Sequence, residues 1–166
     1  IRSAEALETA HKLDTIILDK TGTLTKGAPA LTDIATTGDH DELLRLVASA
    51  ERSSEHPLGA AIVAGATERG LTAPDPTEFD SVTGQGVRAT IDGHAVLVGN
   101  PRLLIDAGID PAPLVPHAER FSADGKTPML VAVDGHAAGV VAVADTLKDD
   151  SVAAVAALQN LGIEVI

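Results

Sequence analysis

A carboxylate, a lysine and three threonines stand within seven consecutive positions, Asp19-Lys20-Thr21-Gly22-Thr23-Leu24-Thr25, directly after the apolar stretch Thr15-Ile16-Ile17-Leu18. A short β-branched run bounded by polar residues reads as a fully buried strand of a parallel sheet. In open α/β sheets reacting groups sit in the crevice beyond the carboxyl ends of the strands, so Asp19 falls where such folds do chemistry. Gly22 permits a sharp turn, and the hydroxyls and amides of Thr21, Thr23 and Thr25 can cradle a phosphoryl group, with Lys20 offsetting charge. An aspartate so placed can attack phosphorus and form an aspartyl-phosphate. The bland alternative is a polar turn in which Asp and Gly serve local hydrogen bonding.

Two other stretches carry groups suited to a ligand. Ser54-Glu55-His56-Pro57 falls in the linker between two expected helices, three residues after Glu51, where side chains are free to meet a partner molecule. Thr83-Gly84-Gln85-Gly86-Val87 invites a dinucleotide-binding reading, but that fingerprint must open a helix. Here Val87, Ala89 and Ile91 alternate towards Asp92-Gly93, and Val96 and Val98 alternate away from it, which is a β-hairpin. The glycines of the turn before it let a backbone approach a flat or phosphorylated ligand closely. Gly125-Lys126-Thr127 does not complete a phosphate-binding loop, because Arg120 stands where the earlier glycine would be. A place for Lys126 near a nucleotide stays open on sequence.

These groups need elements to hold them. The spacing predicts a helix over 3–12 with Ser3 as N-cap, an extended segment from Pro29 to Thr37, and helices over 39–53 and 58–69. Short helices over 101–107 and 112–122 follow, then a second hairpin turning at Asp134-Gly135. The two hairpins and the extended segment give an antiparallel sheet with helices on one face. Val140 to Ala144 is strand-like, Val152 to Leu161 is an Ala-rich helix ended by Gly162, and Ile163 to Ile166 begins another strand. That βαβ tail is what a parallel sheet requires.

The chain of 166 residues is 45% hydrophobic, enough for a core, yet it holds two Phe, no Tyr and no Trp, so that core must be aliphatic. A formal net charge of -12 argues against nucleic acid as a partner, since phosphate contacts need clustered Lys and Arg. With no Cys there is no disulfide or thiolate metal site, which suits a cytoplasmic setting, and the six His show no ligand pairing at useful spacing. No run approaches the roughly 20 apolar residues that cross a bilayer. The chain starts at Ile1 and stops on Val165-Ile166 inside an expected strand, so it reads as a piece of a longer protein.

All seven positions of DKTGTLT resemble the phosphorylation motif of the P-type ATPases, ion pumps that share a phosphatase-like core with the haloacid dehalogenase superfamily. The string SEHPLG at 54–59, and GQGV at 84–87 followed by VGN at 98–100, resemble the nucleotide-binding domain of the heavy-metal (P1B) branch of those pumps. The resemblance implies an α/β fold with an incomplete parallel dehalogenase-like phosphorylation domain, residues 1–26 and 140–166. Into it is inserted an α+β nucleotide-binding domain on an antiparallel sheet, residues 27–139. It assigns Asp19, Lys20 and Thr21 to catalysis, with Mg²⁺ held by the Asp19 carboxylate and the Thr21 backbone carbonyl. It assigns Glu51, Glu55, His56, Gly84, Gly86, Gly99 and Asn100 to ATP, with His56 against the purine and the glutamates shaping its pocket. Asp145-Thr146-Leu147-Lys148 occupies the place of an Asp-x-x-Arg element that aligns nucleotide, with Lys148 lacking the bidentate fork of an arginine.

The implied partners are a membrane domain of the same polypeptide and a transported heavy-metal cation, and the implied location is the cytoplasmic side of a membrane. Copper pumps resemble the wording most; zinc, cadmium and cobalt remain open. A later acidic segment that completes the Mg²⁺ site in such pumps lies beyond Ile166, so weak ATP binding with little turnover is expected of these residues. Two other classes are a soluble dehalogenase-type phosphatase with an inserted cap, disfavoured because Thr21 stands where a proton-donating acid belongs, and a stand-alone nucleotide-binding module.

Overall fold

The computed structural model describes residues 13–166, so the helix expected over 3–12 lies outside the described residues. Two compact units divide the chain: one joins the chain up to Ala28 with Asp145–Ile166, the other is Pro29–Ala144.

In the first unit, β1 (Thr15–Ile16) pairs in parallel with β8 (Glu164–Val165), Thr15 opposite Glu164 and Ile16 opposite Val165. Leu18 N–H donates to Ile166 O at 2.8 Å and extends the pairing towards Asp19. The helix α5 (Ser151–Asn160) leads into β8, as a parallel connection demands. The expected buried strand is not buried here: Ile17 is 79% exposed, and Thr15, Ile16 and Leu18 are half-buried. Burial of a parallel strand comes from neighbours on both edges and helices on both faces. Among the described residues β1 has β8 alone for a partner.

The second unit is built on six strands in the order β2-β7-β6-β5-β4-β3. They are β2 (Thr25–Thr36), β3 (Glu78–Val82), β4 (Gly86–Ile91), β5 (His94–Gly99), β6 (Thr127–Val133) and β7 (His136–Leu147). Asp92 (φ 51°) and Gly93 (φ 86°) turn β4 into β5, and Asp134 (φ 49°) and Gly135 (φ 78°) turn β6 into β7. Both central residues in the left-handed region is the geometry that matches strand twist, and Asp-Gly adopts it most readily.

The helices α1 (His40–Glu51) and α2 (Pro57–Glu68) pack Leu44, Val47, Ala48 and Ile62 with Val87, Ala89, Ile91, Val96 and Val98 in one core cluster. The helices α3 (Pro101–Asp106) and α4 (Val115–Ala123) pack Leu103, Leu104 and Phe121 with Leu130, Ala132, Val140 and Ala142 in a second. Along β6 and β7 the neighbours divide, Val131, Val141 and Val143 going to the first cluster and Leu130, Ala132, Val140 and Ala142 to the second. Successive side chains point to opposite faces of a sheet, so helices cover both faces, not one as expected. The physical reason is legible in Leu130-Val131-Ala132-Val133 and Val140-Val141-Ala142-Val143, which are apolar without alternation and so have no face to give to water.

Candidate functional site

Each end of the chemistry belongs to one unit. In the first, β1 delivers the chain to Asp19, exposed and extended (φ -65°, ψ 140°), and the next five residues, Lys20–Leu24, make one wide turn. Thr25 N–H donates back to Lys20 O, one residue further than an α-helical turn reaches, and Gly22 takes φ +75° to allow it. Lys20, Thr21 and Thr23 are exposed beside Asp19.

Thr25 is not available to a ligand. It is 1% exposed, and its Oγ1 accepts from Gly22 N–H at 3.1 Å and donates to Asp145 Oδ2 at 2.5 Å. The other oxygen of Asp145 accepts from Gly27 N–H at 2.9 Å. Lys148 Nζ donates to Gly22 O at 2.8 Å, and Ser151 Oγ donates to Leu24 O at 2.7 Å. Asp145, Lys148 and Ser151 therefore brace the loop that carries Asp19, and the hydroxyl expected to help cradle phosphate is used to shape that loop. Nothing in the sequence around residue 145 announces a partner 120 positions away.

In the second unit a cavity of about 340 Å³ gathers Glu51, Ser54, His56, Gly84, Gly86, Gly99 and Asn100, with Gln85, Val87 and Met129 among its other walls. Glu55 is exposed and does not line it. His56 caps α2: its Nδ1 accepts from Leu58 N–H at 3.1 Å, and Pro57 sits at the first helical position, where its missing N–H costs nothing. The nitrogen that accepts carries no proton, which leaves Nε2 as the donor of that ring. Asn100 caps α3 by accepting from Leu103 N–H at 3.2 Å and donates to Gly84 O at 2.9 Å, tying the glycine turn to the end of β5.

Gly86 and Gly99 are opposite each other in the β4–β5 register. A Cβ on Gly86 would stand 2.6 Å from Gly99 Cα, so the two backbones come together there as only glycines can. Glu51 ends α1 and is 3% exposed, its carboxylate against Gly59, where any Cβ would overlap Oε2. Burial pushes the Glu51 carboxyl above the ordinary carboxylate value, opposed by a hydrogen bond from Ser54 and by the neighbouring His56.

Lys126 does not reach this cavity as a free cation. Its Nζ donates to Asp33 Oδ2 at 2.6 Å, with Asp124 Oδ2 at 3.8 Å. Sequence reasoning passed over Ser54 as a wall of the cavity, although it stands in the same linker, and over Gln85 and Met129, which carry no chemical signature.

With a parallel strand ending on an aspartate and a braced turn after it, the chain belongs to the haloacid dehalogenase-like hydrolases, whose family model matches residues 13–166. Within that class its relatives are pumps. It is 52% identical over 168 residues to a copper-transporting P-type ATPase of Rhizobium leguminosarum bv. viciae, an alignment covering 100% of this chain and 20% of that protein. A copper-exporting P-type ATPase of Bacillus subtilis (strain 168) is 48% identical, with 99% and 21% covered. The chain thus spans about a fifth of the length of the curated relatives it matches.

Among solved structures, a zinc-transporting PIB-type ATPase in the E2.Pi state superposes with a TM-score of 0.85 at 31% identity, over 97% of this chain and 26% of that one. The N-domain of the copper-transporting P-type ATPase HMA8 matches with a TM-score of 0.59 at 26% identity, over 69% of this chain and 99% of that domain. The resemblance drawn from the three motifs and the mixed parallel and antiparallel fold are both confirmed.

Proposed function

We propose that the Pro29–Ala144 unit binds ATP in its cavity and that Asp19 receives the γ-phosphoryl group, the pair acting as the cytoplasmic headpiece of an ATP-driven heavy-metal cation pump. The observation that carries the reading is convergence. Glu51 and His56, Gly84 and Gly86, and Gly99 and Asn100 come from separate stretches of the chain and line one cavity. His56 presents Nε2–H and a ring face to a purine, Gly84 and Gly86 let the nucleotide lie close to backbone, and Glu51 closes the far wall.

At Asp19 a carboxylate oxygen forms the bond to phosphorus while the bond from phosphorus to the β–γ bridging oxygen breaks, and ADP leaves with that oxygen's electrons. Lys20, exposed next to the nucleophile, offsets charge on the transferred group. The oxygen donors on this turn, the Asp19 carboxylate and the Thr21 carbonyl, suit a hard cation that takes its other ligands from water and phosphate. Bound there, Mg²⁺ would neutralise charge as it develops. Asp145 and Lys148 keep the turn in shape.

No helix among the described residues is long and apolar enough to cross a membrane. The chain spans about a fifth of its pump relatives, and the ion's path is assigned to the remainder of such a polypeptide. The names of the curated relatives favour copper as the cargo. Titration of the chain with ATP, followed by NMR, is expected to perturb Glu51, His56, Gly84, Gly86 and Gly99, with His56→Ala weakening binding. In the full-length polypeptide, labelled ATP is expected to give an acid-stable phosphoprotein that Asp19→Asn abolishes without loss of ATP affinity. An Asp19→Asn protein that still accepted phosphate would overturn the assignment.

A further inference from the structure

Gln85 stands in the turn between β3 and β4 with both backbone groups engaged: its N–H donates to Val82 O at 2.9 Å, and its O accepts from Asn100 N–H at 2.8 Å. Its side chain lines the cavity, and Nε2 donates at 3.0 Å to Oδ2 of Asp106, the last residue of α3. The other end of the amide has no such partner. Oε1 is buried without a hydrogen bond, the one side-chain atom of which this holds among the described residues. Exchanging the two ends of the amide would set a carbonyl oxygen against a carboxylate, so the unpaired atom is an acceptor. Buried acceptors in native folds are almost always paired, and one left bare on a cavity wall calls for a donor that a ligand brings.

An adenine nucleotide offers few donors. Its phosphate oxygens and ring nitrogens only accept at neutral pH, which leaves the 6-amino group and the two ribose hydroxyls. The purine is assigned to His56, in the linker between α1 and α2. Gln85 comes instead from the sheet, between Gly84 and Gly86, where the glycines let the rest of the nucleotide lie close to backbone. The sugar is the part that falls to it.

We propose that Gln85 reads the ribose, its Oε1 accepting from the 2′,3′-diol while Asp106 holds the amide N–H and so fixes which end meets the ligand. The inference rests on the reading of the cavity as an ATP site and adds the residue that separates ribonucleotide from deoxyribonucleotide there. Because Oε1 is buried as it stands, the hydroxyl reaches it through rotation of the outer side-chain bonds, which the pinned backbone leaves free. Gln85 touches the nucleotide, and Asp106 is a positioning residue.

The test measures the affinity of the 166-residue chain for ATP, 2′-deoxyATP and 3′-deoxyATP by NMR titration. Wild type is expected to bind ATP about two- to tenfold more tightly than at least one deoxy analogue, the contribution of one hydrogen bond between neutral groups. Gln85→Met keeps the length of the side chain and removes its acceptor, so its ATP affinity is expected to fall to that for the analogue, while affinity for the analogue holds. Closing the cycle between the two proteins cancels any effect of deoxygenation on sugar pucker. Asp106→Ala is expected to narrow the same ratio, which a merely structural role would leave alone. Equal wild-type affinity for all three nucleotides, a measurement that needs no variant to fold, would overturn the proposal, as would a preference for ATP that survives in Gln85→Met. Inosine triphosphate lacks the 6-amino group, and a Gln85→Met loss confined to the preference for ATP over it would move the contact to the base and overturn the proposal equally. Failure of every nucleotide to perturb the cavity would instead bring down the ATP-site reading, and the proposal with it.

Discussion

Replacing Gly99 by alanine should damage the cavity through packing alone. The new Cβ would overlap Gln85 O and stand 2.9 Å from both Gly86 Cα and Leu103 Cδ2. Non-bonded carbons sit at about 3.5–4.0 Å, so β4 and α3 must each give way by roughly 0.6–1.1 Å. Overpacking of this kind costs about 1–3 kcal/mol. Retreat of Gln85 O also breaks its 2.8 Å hydrogen bond from Asn100 N–H. A bond of that kind contributes about 0.5–1.5 kcal/mol.

Together these give a loss of about 2–4 kcal/mol, which at a slope of about 2 kcal/mol per molar urea lowers the unfolding midpoint by roughly 1–2 M. Because the chain has two units, the measurement is urea denaturation read at β4 and β5 by amide hydrogen exchange. Gly84→Ala is the control. Gly84 has φ +71° and open space where a Cβ would stand, so it loses only the roughly 1–2 kcal/mol of a left-handed alanine. Gly99→Ala within about 0.5 kcal/mol of wild type, or a larger loss at Gly84 than at Gly99, would refute the claim that the two facing glycines set the cavity's shape.

Asp145→Asn removes the charge from hydrogen bonds to the Thr25 hydroxyl and Gly27 N–H. Hydrogen bonds to charged groups contribute about 1.5–3 kcal/mol, so Gly27 amide exchange should quicken between about ten- and a hundredfold. An unchanged rate would mean that the loop does not depend on this carboxylate. Asp33 loses some of its acidity to burial, but its bond from Lys126 more than compensates and holds its carboxyl below the ordinary value. A depressed folded pKa contributes stability above the unfolded value that is lost as pH falls through the folded one, so Asp33→Asn should flatten the acid limb of the urea midpoint against pH. His94 Nδ1 lies 2.7 Å from Asp134 Oδ2, a contact that raises its pKa. Its contribution is present below the unfolded value and fades as pH rises through the folded one, and an NMR titration of Asp134→Asn should bring His94 back towards about 6.5.

Short-range signals carried the sequence reading furthest. Asp39 before α1, Asp92-Gly93 and Asp134-Gly135 each act within a few residues, and each appears in the fold with the geometry its chemistry favours. The cavity-lining residues were reached because their motifs are specific, not because spacing revealed their meeting. Glu55 shows the limit: it shares the linker with His56 but is exposed and does not line the cavity, a difference that composition does not encode. The bracing of Thr25 by Asp145 was out of reach because such a pair depends on register between distant strands. Helices on both faces were within reach, since β6 and β7 lack alternation, and a one-faced sheet would have left every second valine wet. Ile17 misled for the opposite reason: an apolar run reports what a strand can bury, while burial itself is conferred by neighbours.

The aliphatic cores have one further consequence. Packed with valine, leucine and alanine around Phe121, and with no phenol or indole anywhere in the sequence, the protein is nearly transparent at the wavelengths where purines absorb. Nucleotide retained by the chain after gel filtration can therefore be counted from its own spectrum, without label or coupled enzyme.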